Sequence, residues 1–362
     1  MPTIDGRTLD AAGVQGSFAF SDSETPVTFT CSVDGASSQA CTSPHSIGPV
    51  AAGSHTFAVT ALDPAGNRSA ATTSTWTAGA TVAAVGDIAC STDDPNYSGG
   101  AGTGSFCMQS ATADVVAGIS NLDGLLLLGD EQYQCGYAAE FSAVYAKTWG
   151  RFNSIAHPVP GNHEYGDTAN CPPSNASGYY GYYGASAGDP TKGYYSYDLG
   201  AWHLIAINSN CAAIGGCGSG SAEETWLAAD LASDTAACTL AYWHHPRFSS
   251  GEHGSDAGTA ALWQALYDAN ADVVLNGHDH DYERFAPQNP SGVADSARGI
   301  REFVVGTGGR SHYVTGTPKP NSEVRDSTSF GVLRLTLRAN DYGWQFQPAV
   351  GTFSDNGTGT CH

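Results

Sequence analysis

Five short apolar runs in this chain stop abruptly, each at a glycine or a polar side chain able to bind a metal ion. TVAAV (81–85) runs into Gly86-Asp87, and GLLLL (124–128) into Gly129-Asp130. HPVP runs into Gly161-Asn162-His163-Glu164, TLAYW (239–243) into His244-His245-Pro246, and DVVLN (272–276) into Gly277-His278-Asp279-His280. Runs this short and this apolar are the pattern of strands buried on both faces. Helical stretches are expected between them at 111–120, 137–147, 223–231 and 259–269, with a closing β-region at 306–309 and 332–337. Strands alternating with helices predict an α/β domain with parallel strand pairs. In open sheets of that kind, ligands sit beyond the carboxyl ends of the strands. Five distant segments are therefore expected to deliver their polar ends to one place.

The residue types at those ends narrow the chemistry. Carboxylate, amide oxygen and imidazole suit Fe, Mn or Zn, and no thiolate is needed. A glycine before the ligand permits the tight turn that exposes it. A lone Gly-Asp is an ordinary surface turn. It is the set, in order and each at a strand end, that points to a metal centre.

Residues 1–79 read differently from 80–362, and two domains are expected. The first part holds short strands at 27–33, 55–62 and 73–77, separated by turns such as Asp34-Gly35 and Pro64-Ala65-Gly66-Asn67. Phe57, Val59 and Ala61 alternate with Thr56, Ala58 and Thr60, the period of a half-buried strand. A small all-β sandwich follows. The stretches FTCSVDGASSQACTSP and GSHTFAVTALDPAGN with Trp76 resemble the Ig-like modules of bacterial surface and secreted proteins. That resemblance implies an accessory domain, with contact to a cell surface or matrix as its expected role.

Charge and cysteine usage bound the setting. With 14 Lys plus Arg against 35 Asp plus Glu, the formal net charge is -21, which argues against polymeric nucleic acid and anionic membranes as partners. A phosphate-ester substrate meets the same repulsion, so its site needs concentrated positive charge, and bound metal ions would supply it. The ten cysteines form no CxxC pair and fit a disulfide framework in an oxidising compartment. Proximity pairs Cys31 with Cys41, Cys90 with Cys107, Cys135 with Cys171 and Cys211 with Cys217, leaving Cys238 with Cys361 among many conceivable connectivities. No apolar run reaches the roughly 18 residues of a membrane helix, so no membrane insertion is expected. The opening MPTIDGRTLD has no signal-peptide pattern. A secreted protein, the expected localisation, would then be read here from after its signal.

The strand-end motifs GDIA, GDEQY, GNHEY, HHP and GHDHDYER resemble those of the calcineurin-like metallophosphoesterases, and within them the purple acid phosphatases. The stretch YYSYDLGAWHLIAINS (194–209) resembles that family's connecting strands. The resemblance implies a four-layer αββα metallophosphoesterase sandwich. It assigns one metal to Asp87, Asp130, Tyr133 and His280, and a second to Asp130, Asn162, His244 and His278, with Asp130 bridging. The implied metals are Fe(III), ligated by the tyrosine, plus Zn, Mn or Fe(II). His163 is implied as proton donor to the leaving group and His253, in the Gly- and Ser-rich loop after His244, as a phosphate contact. The turn Ile88-Ala89-Cys90 departs from the family's glycine-ending first motif and leaves the loop shape beside Asp87 open. His245 competes with His244, whose position two residues before Pro246 matches the family's ligand. Arg284 is expected to be structural, Glu164 to orient a ligand, and GTGGR (306–310) to be a turn under the metal site rather than a phosphate loop.

The function expected is hydrolysis of small phosphate monoesters by a metal-bound hydroxide at a two-metal site. A phosphodiesterase or nucleotide hydrolase on the same core is the alternative within the class. An adhesion protein with a vestigial metal site is the alternative outside it.

Overall fold

The computed structural model describes residues 1–10 and 12–362. The chain divides into two compact units. The first comprises Met1–Thr81 with Leu199–Ala201 and Thr336–Ala339, and the second Val82–Asp198, Trp202–Leu335 and Asn340–His362.

The first unit is all β. A sheet of Thr3–Leu9, Gly16–Ser21 and His45–Ile47 faces a sheet of Gln39–Cys41, Thr28–Val33, Gly53–Leu62 and Thr72–Ala78. All pairings within them are antiparallel. Along Gly53–Leu62 the buried residues are His55, Phe57, Val59 and Ala61, the alternation read from the sequence. Phe18 from one sheet stacks on Phe57 from the other at 4.3 Å, and Trp76 closes the core with its indole N–H donated to Gly13 O at 2.9 Å. The strands Thr3–Leu9 and Gly16–Ser21 were not expected from the sequence. Thr3–Leu9 is mostly exposed and interrupted by Gly6, so it carries no alternation to read.

The second unit has four layers. One sheet, six-stranded, runs in the order Ala156–Pro158, Gly124–Leu127, Ala80–Val85, Phe330–Leu337, Asp341–Val350, Asn356–Thr360. The other, seven-stranded, runs Tyr195–Leu199, Trp202–Ala206, Cys238–Trp243, Val273–Asn276, Arg301–Val305, Tyr282–Phe285, Ser322–Asp326. The sheets meet through aromatic pairs, Trp202 with Tyr342, Tyr282 with Phe346 and Phe303 with Trp344. Ala83, Val85, Leu125 and Leu127 point to the outer face of the first sheet, under Val116, Phe141, Tyr145 and Trp149. Ile205, Ala241, Trp243 and Val274 do the same in the second, under Leu227, Leu262, Trp263 and Leu266. Strands covered on both sides need continuous apolar sequence, which is why they read as unbroken runs.

The helices fall where expected, at Gln109–Ala117, Ala222–Ser233 and Ala260–Asp268. The single helix expected over 137–147 is instead α-helical at Ala138–Glu140 and Ala146–Thr148, with the wider π form at Phe141–Tyr145 between them. Helix Ser177–Tyr183 was missed because Gly178 and Gly181 mask its buried Tyr179, Tyr180 and Tyr183. No described helix is long and apolar enough to cross a membrane.

All five disulfides close as proximity paired them: Cys31–Cys41, Cys90–Cys107, Cys135–Cys171, Cys211–Cys217 and Cys238–Cys361. The last joins the start of a central strand to the chain end across 123 residues, so it removes the most freedom from the unfolded chain. Replacing Cys238 and Cys361 together by alanine is expected to lower stability by about 2–5 kcal/mol. Denaturant unfolding of the variant against the parent protein checks this; an unchanged midpoint would refute it.

Candidate metal centre

Parallel register brings the strand ends level. Val85 lies opposite Leu127, and Leu127 opposite Pro158. In the other sheet Trp243 lies opposite Asn276, and Asn276 opposite Val304. The residues just beyond these positions are therefore released at a common edge, as the sequence pattern required.

Two clusters form there. In the first, the Tyr133 hydroxyl donates to Asp87 Oδ1 at 2.9 Å and lies 2.9 Å from His280 Nε2, while His280 Nε2 is 3.3 Å from Asp87 Oδ1. In the second, His244 Nε2 lies 3.0 Å from Asn162 Oδ1, 3.2 Å from His278 Nδ1 and 3.3 Å from Asp130 Oδ2. Asp87, Asp130 and His244 present donor atoms within 4.8 Å of one another, so the Asp130 carboxylate stands between the clusters. All seven side chains named from the sequence as ligands meet here. The donor set of carboxylate, amide oxygen, phenol and imidazole fits two hard or borderline cations.

The groups behind the clusters fix how each side chain faces. His244 Nδ1 donates to Leu128 O at 2.8 Å, so its Nε2 lone pair faces the cluster. His280 Nδ1 lies 3.1 Å from Ser311 Oγ, a contact that turns Nε2 of the same ring to the cluster. Asp87 Oδ2 accepts from His278 N at 2.8 Å, and Asp130 Oδ1 from His163 N at 2.9 Å. Glu164 accepts backbone N–H groups from Asp130, Gln132 and Gly161, and so bears on the orientation of Asp130 as expected. Asp87, Asp130 and His278 all have positive φ, of 62°, 52° and 73°, a region that side-chain-bearing residues rarely adopt. Glycine is required beside them: a Cβ on Gly161 would collide with the Asp130 carboxylate, and one on Gly277 would lie 2.7 Å from Asp87 Oδ2.

Electrostatics follow the same geometry. Burial opposes the Asp130 charge, but His244 and His163 outweigh it and hold the carboxyl well below its ordinary range. Burial likewise opposes charge on His244, yet Asp130 raises that imidazole to about 9. His278 is pushed down by burial and then by His244. Burial, then the charges of Asp130 and Asp87, push the Tyr133 phenol well above its ordinary value, so only a strong Lewis acid would turn it into a phenolate. Glu164 rises to about 8 through burial and the neighbouring Asp130, against the pull of its backbone donors.

A cavity of about 320 Å³ opens on the clusters, and Asp130, Asn162, His278 and His280 line it. His163 stands in its wall. Its Nδ1 donates to Gln134 O at 2.6 Å, leaving Nε2 3.8 Å from Asp130 Oδ2. His253 is exposed at the rim, with its ring 4.3 Å from that of His278. The buried Asp279 carboxylate holds the His253 loop by accepting from His253 N, Gly254 N and Ser249 Oγ. Neither lysine nor arginine lines the cavity among the described residues.

His245 lies beside the second cluster, with a ring nitrogen within 4.8 Å of donor atoms of His244 and His278. Its ring lies 4.4 Å from that of His278 and its Nδ1 pairs with Ser209 Oγ at 2.8 Å. Arg284 pairs with Asp355 and Glu323, a structural role. GTGGR is a turn packed on the first strand end, where Gly308 N donates to Gly86 O and Arg310 N to Asp87 O. The open question of the Ile88-Ala89-Cys90 turn resolves into pairing with the second motif, with Ile88 N donating to Asp130 O, Ala89 N to Glu131 O and Tyr133 N to Ala89 O. Two residues of the site were not found from the sequence. Tyr313 stacks on His280 at 4.0 Å and faces the cavity, and Gln134 orients His163. No motif marks either; only the aromatic character of SHY at 311–313 could have drawn notice.

The profile of the calcineurin-like phosphoesterases matches residues 80–282. Purple acid phosphatase 22 of Arabidopsis thaliana is 32% identical over 158 residues, covering 40% of this chain and 34% of that protein. Purple acid phosphatase 15 of the same plant is 30% identical over 194 residues, covering 45% and 36%. The matched stretch thus spans little more than a third of those relatives. Among solved structures, purple acid phosphatase PPD1 from yellow lupin (Lupinus luteus) seeds aligns over 99% of this chain and 74% of its own, with a TM-score of 0.61 at 16% identity, a likeness of fold. The family profile covers more than half of the chain and includes all seven clustered side chains: the chain belongs to the calcineurin-like phosphoesterase family.

Proposed function

We propose that this protein is a secreted, metal-dependent phosphomonoesterase of the purple acid phosphatase branch, acting on small phosphate esters. The observation that carries this reading is the pair of donor clusters sharing Asp130. Asp87, Asp130, Tyr133 and His280 would hold Fe(III), and Asp130, Asn162, His244 and His278 would hold Zn, Mn or Fe(II). When bound, the two cations supply Lewis acidity and a water of lowered pKa.

The protein's own groups do the rest. With no lysine or arginine lining the cavity among the described residues, His253 and His163 are placed to meet the non-bridging phosphate oxygens beside the neutral donors Gln134, Thr168, Asn170 and Tyr313. The oxygen of water forms the new P–O bond, and the bond to the alcohol breaks with its electron pair going to the alcohol oxygen. His163 acts as the imidazolium: its Nδ1–H stays committed to Gln134 O, its Nε2–H is donated to that oxygen, and the proton given up by the attacking water passes to solvent. Five disulfides favour an oxidising compartment and hence secretion. The N-terminal sandwich is read as an Ig-like accessory module over residues 1–79, with 80–362 as the catalytic domain and a cell surface or matrix as the module's contact.

Asp130→Asn is expected to abolish turnover of a chromogenic phosphate monoester and to reduce bound metal measured by elemental analysis; a fully active variant would falsify the two-metal reading. His163→Ala should lower kcat by about 10²–10⁴-fold. That loss should be larger for alkyl phosphates than for p-nitrophenyl phosphate, whose leaving group needs little protonation. An equal loss on both would remove His163 from the proton-donor role. If Tyr133 ligates Fe(III), the concentrated protein absorbs visible light and Tyr133→Phe bleaches it. Colourless, active protein holding only Zn or Mn would reject iron and leave hydrolysis standing.

A further inference from the structure

A second cavity, of about 430 Å³, adjoins the one over the clusters, and Asp167 lines both. His245 forms part of the wall of this space while its ring lies 4.4 Å from that of His278. Tyr165 and Ala213 give the wall apolar surface, and Ser209 gives it a hydroxyl. Asp167 and Asp256 are its charged residues, with no lysine or arginine lining it among the described residues. The Asp256 carboxylate accepts from Gly258 N at 2.7 Å, and main-chain bonds hold the loops that carry both residues. Asp167 N donates to Asn162 O at 2.9 Å, and Asp256 N donates to Pro246 O at 2.8 Å, two residues beyond His244.

We propose that this second cavity receives the alcohol part of the substrate and selects esters whose leaving group is uncharged or cationic and partly apolar. The inference rests on the phosphomonoesterase reading, since it assigns the phosphoryl group to the cavity over the clusters. Its volume suits an aromatic or sugar-sized group, and its mixed wall offers that group both contact surface and hydrogen bonds. Its charge sets the selection. A carboxylate or second phosphate on the leaving group would meet Asp167 and Asp256 with no cation to offset them, whereas an ammonium would be drawn in. Nucleoside polyphosphates are thereby disfavoured, which separates this protein from the nucleotide hydrolases conceivable on the same core.

The test uses the metal-loaded full chain and three aryl phosphates: phenyl phosphate, its para-aminomethyl derivative and its para-carboxylate derivative. The aminomethyl ester is expected to exceed the carboxylate ester in kcat/KM by about ten-fold at low salt, and the ratio should shrink as salt is raised. In the double variant Asp167→Asn, Asp256→Asn, which keeps size and hydrogen bonding, the ratio should fall below about three-fold. Ala213→Phe, which fills the cavity, should raise KM for phenyl phosphate several-fold with kcat largely retained. Equal turnover of the two charged esters, a ratio untouched by the double variant, or an unchanged KM in Ala213→Phe would each overturn the role of the second cavity alone. Failure to hydrolyse even phenyl phosphate would overturn the phosphomonoesterase reading, and this inference with it.

Discussion

Asp130 is an ionised carboxylate with 2% of its surface exposed, and a buried charge of that kind persists only when neighbours stabilise it. Its own N–H donates to Glu164, and its Oδ1 accepts from His163 N. Its Oδ2 faces His244 and His163. These partners come from two other strand ends, the Gly161–Glu164 turn and His244, so stabilising one charge draws three loops together. Glu164, one layer back, gathers N–H groups from the Asp130 loop and from Gly161, although burial and the Asp130 charge raise its carboxyl to about 8. The centre is thus a set of loops organised around carboxylates, and the sheets fix where those loops begin.

That organisation carries conformational strain. Asp87, Asp130 and His278 sit in left-handed backbone, which costs about 1–3 kcal/mol each for residues of this kind. The arrangement persists because each loop is over-determined. Asp87 is held by His278 N, and Asp130 by His163 N and Glu164. Cys90–Cys107 and Cys135–Cys171 close covalent loops on either side of the first two motifs. A rigid set of donors is what a two-metal site needs, since ligands that could relax would compromise the spacing of the cations.

Much of this was legible in the sequence because buried parallel strands leave an unambiguous mark, an apolar run with a sharp polar end. TVAAV and GLLLL announced both their own burial and the position of Asp87 and Asp130. Naming all seven clustered residues took more than that pattern: the resemblance of GDEQY and GHDHDYER to the family's motifs supplied Tyr133 and the division into two ligand sets. Tyr313 and Gln134 could not, because each reaches the site through a turn whose shape is set by tertiary contacts, Tyr313 by its stack on His280 and Gln134 by its bond to His163. The strand Thr3–Leu9 was illegible for the opposite reason: it buries too little to impose a pattern. The helical segment at 138–148 was legible as helix but not in its π portion, which packs Phe141 and Tyr145 against Tyr183.

The acidity of the chain acquires a meaning from the site. In a protein of net charge -21 whose cavity is lined by neither lysine nor arginine among the described residues, a phosphate dianion meets imidazoles, the neutral donors Gln134, Thr168, Asn170 and Tyr313, and the two donor clusters. On the proposed reading, attraction for substrate then resides almost wholly in the bound cations, so affinity and catalysis rise together with metal loading. Carboxylates serve that arrangement twice. At the clusters they hold the cations, and in the adjoining cavity Asp167 and Asp256 face the part of the substrate that carries no phosphoryl group. One sign of charge thereby orients the ester, its anionic end toward the metal-binding clusters and its neutral or cationic end away from them. Basic residues around the cavity would bind phosphate more generally and lose that orientation.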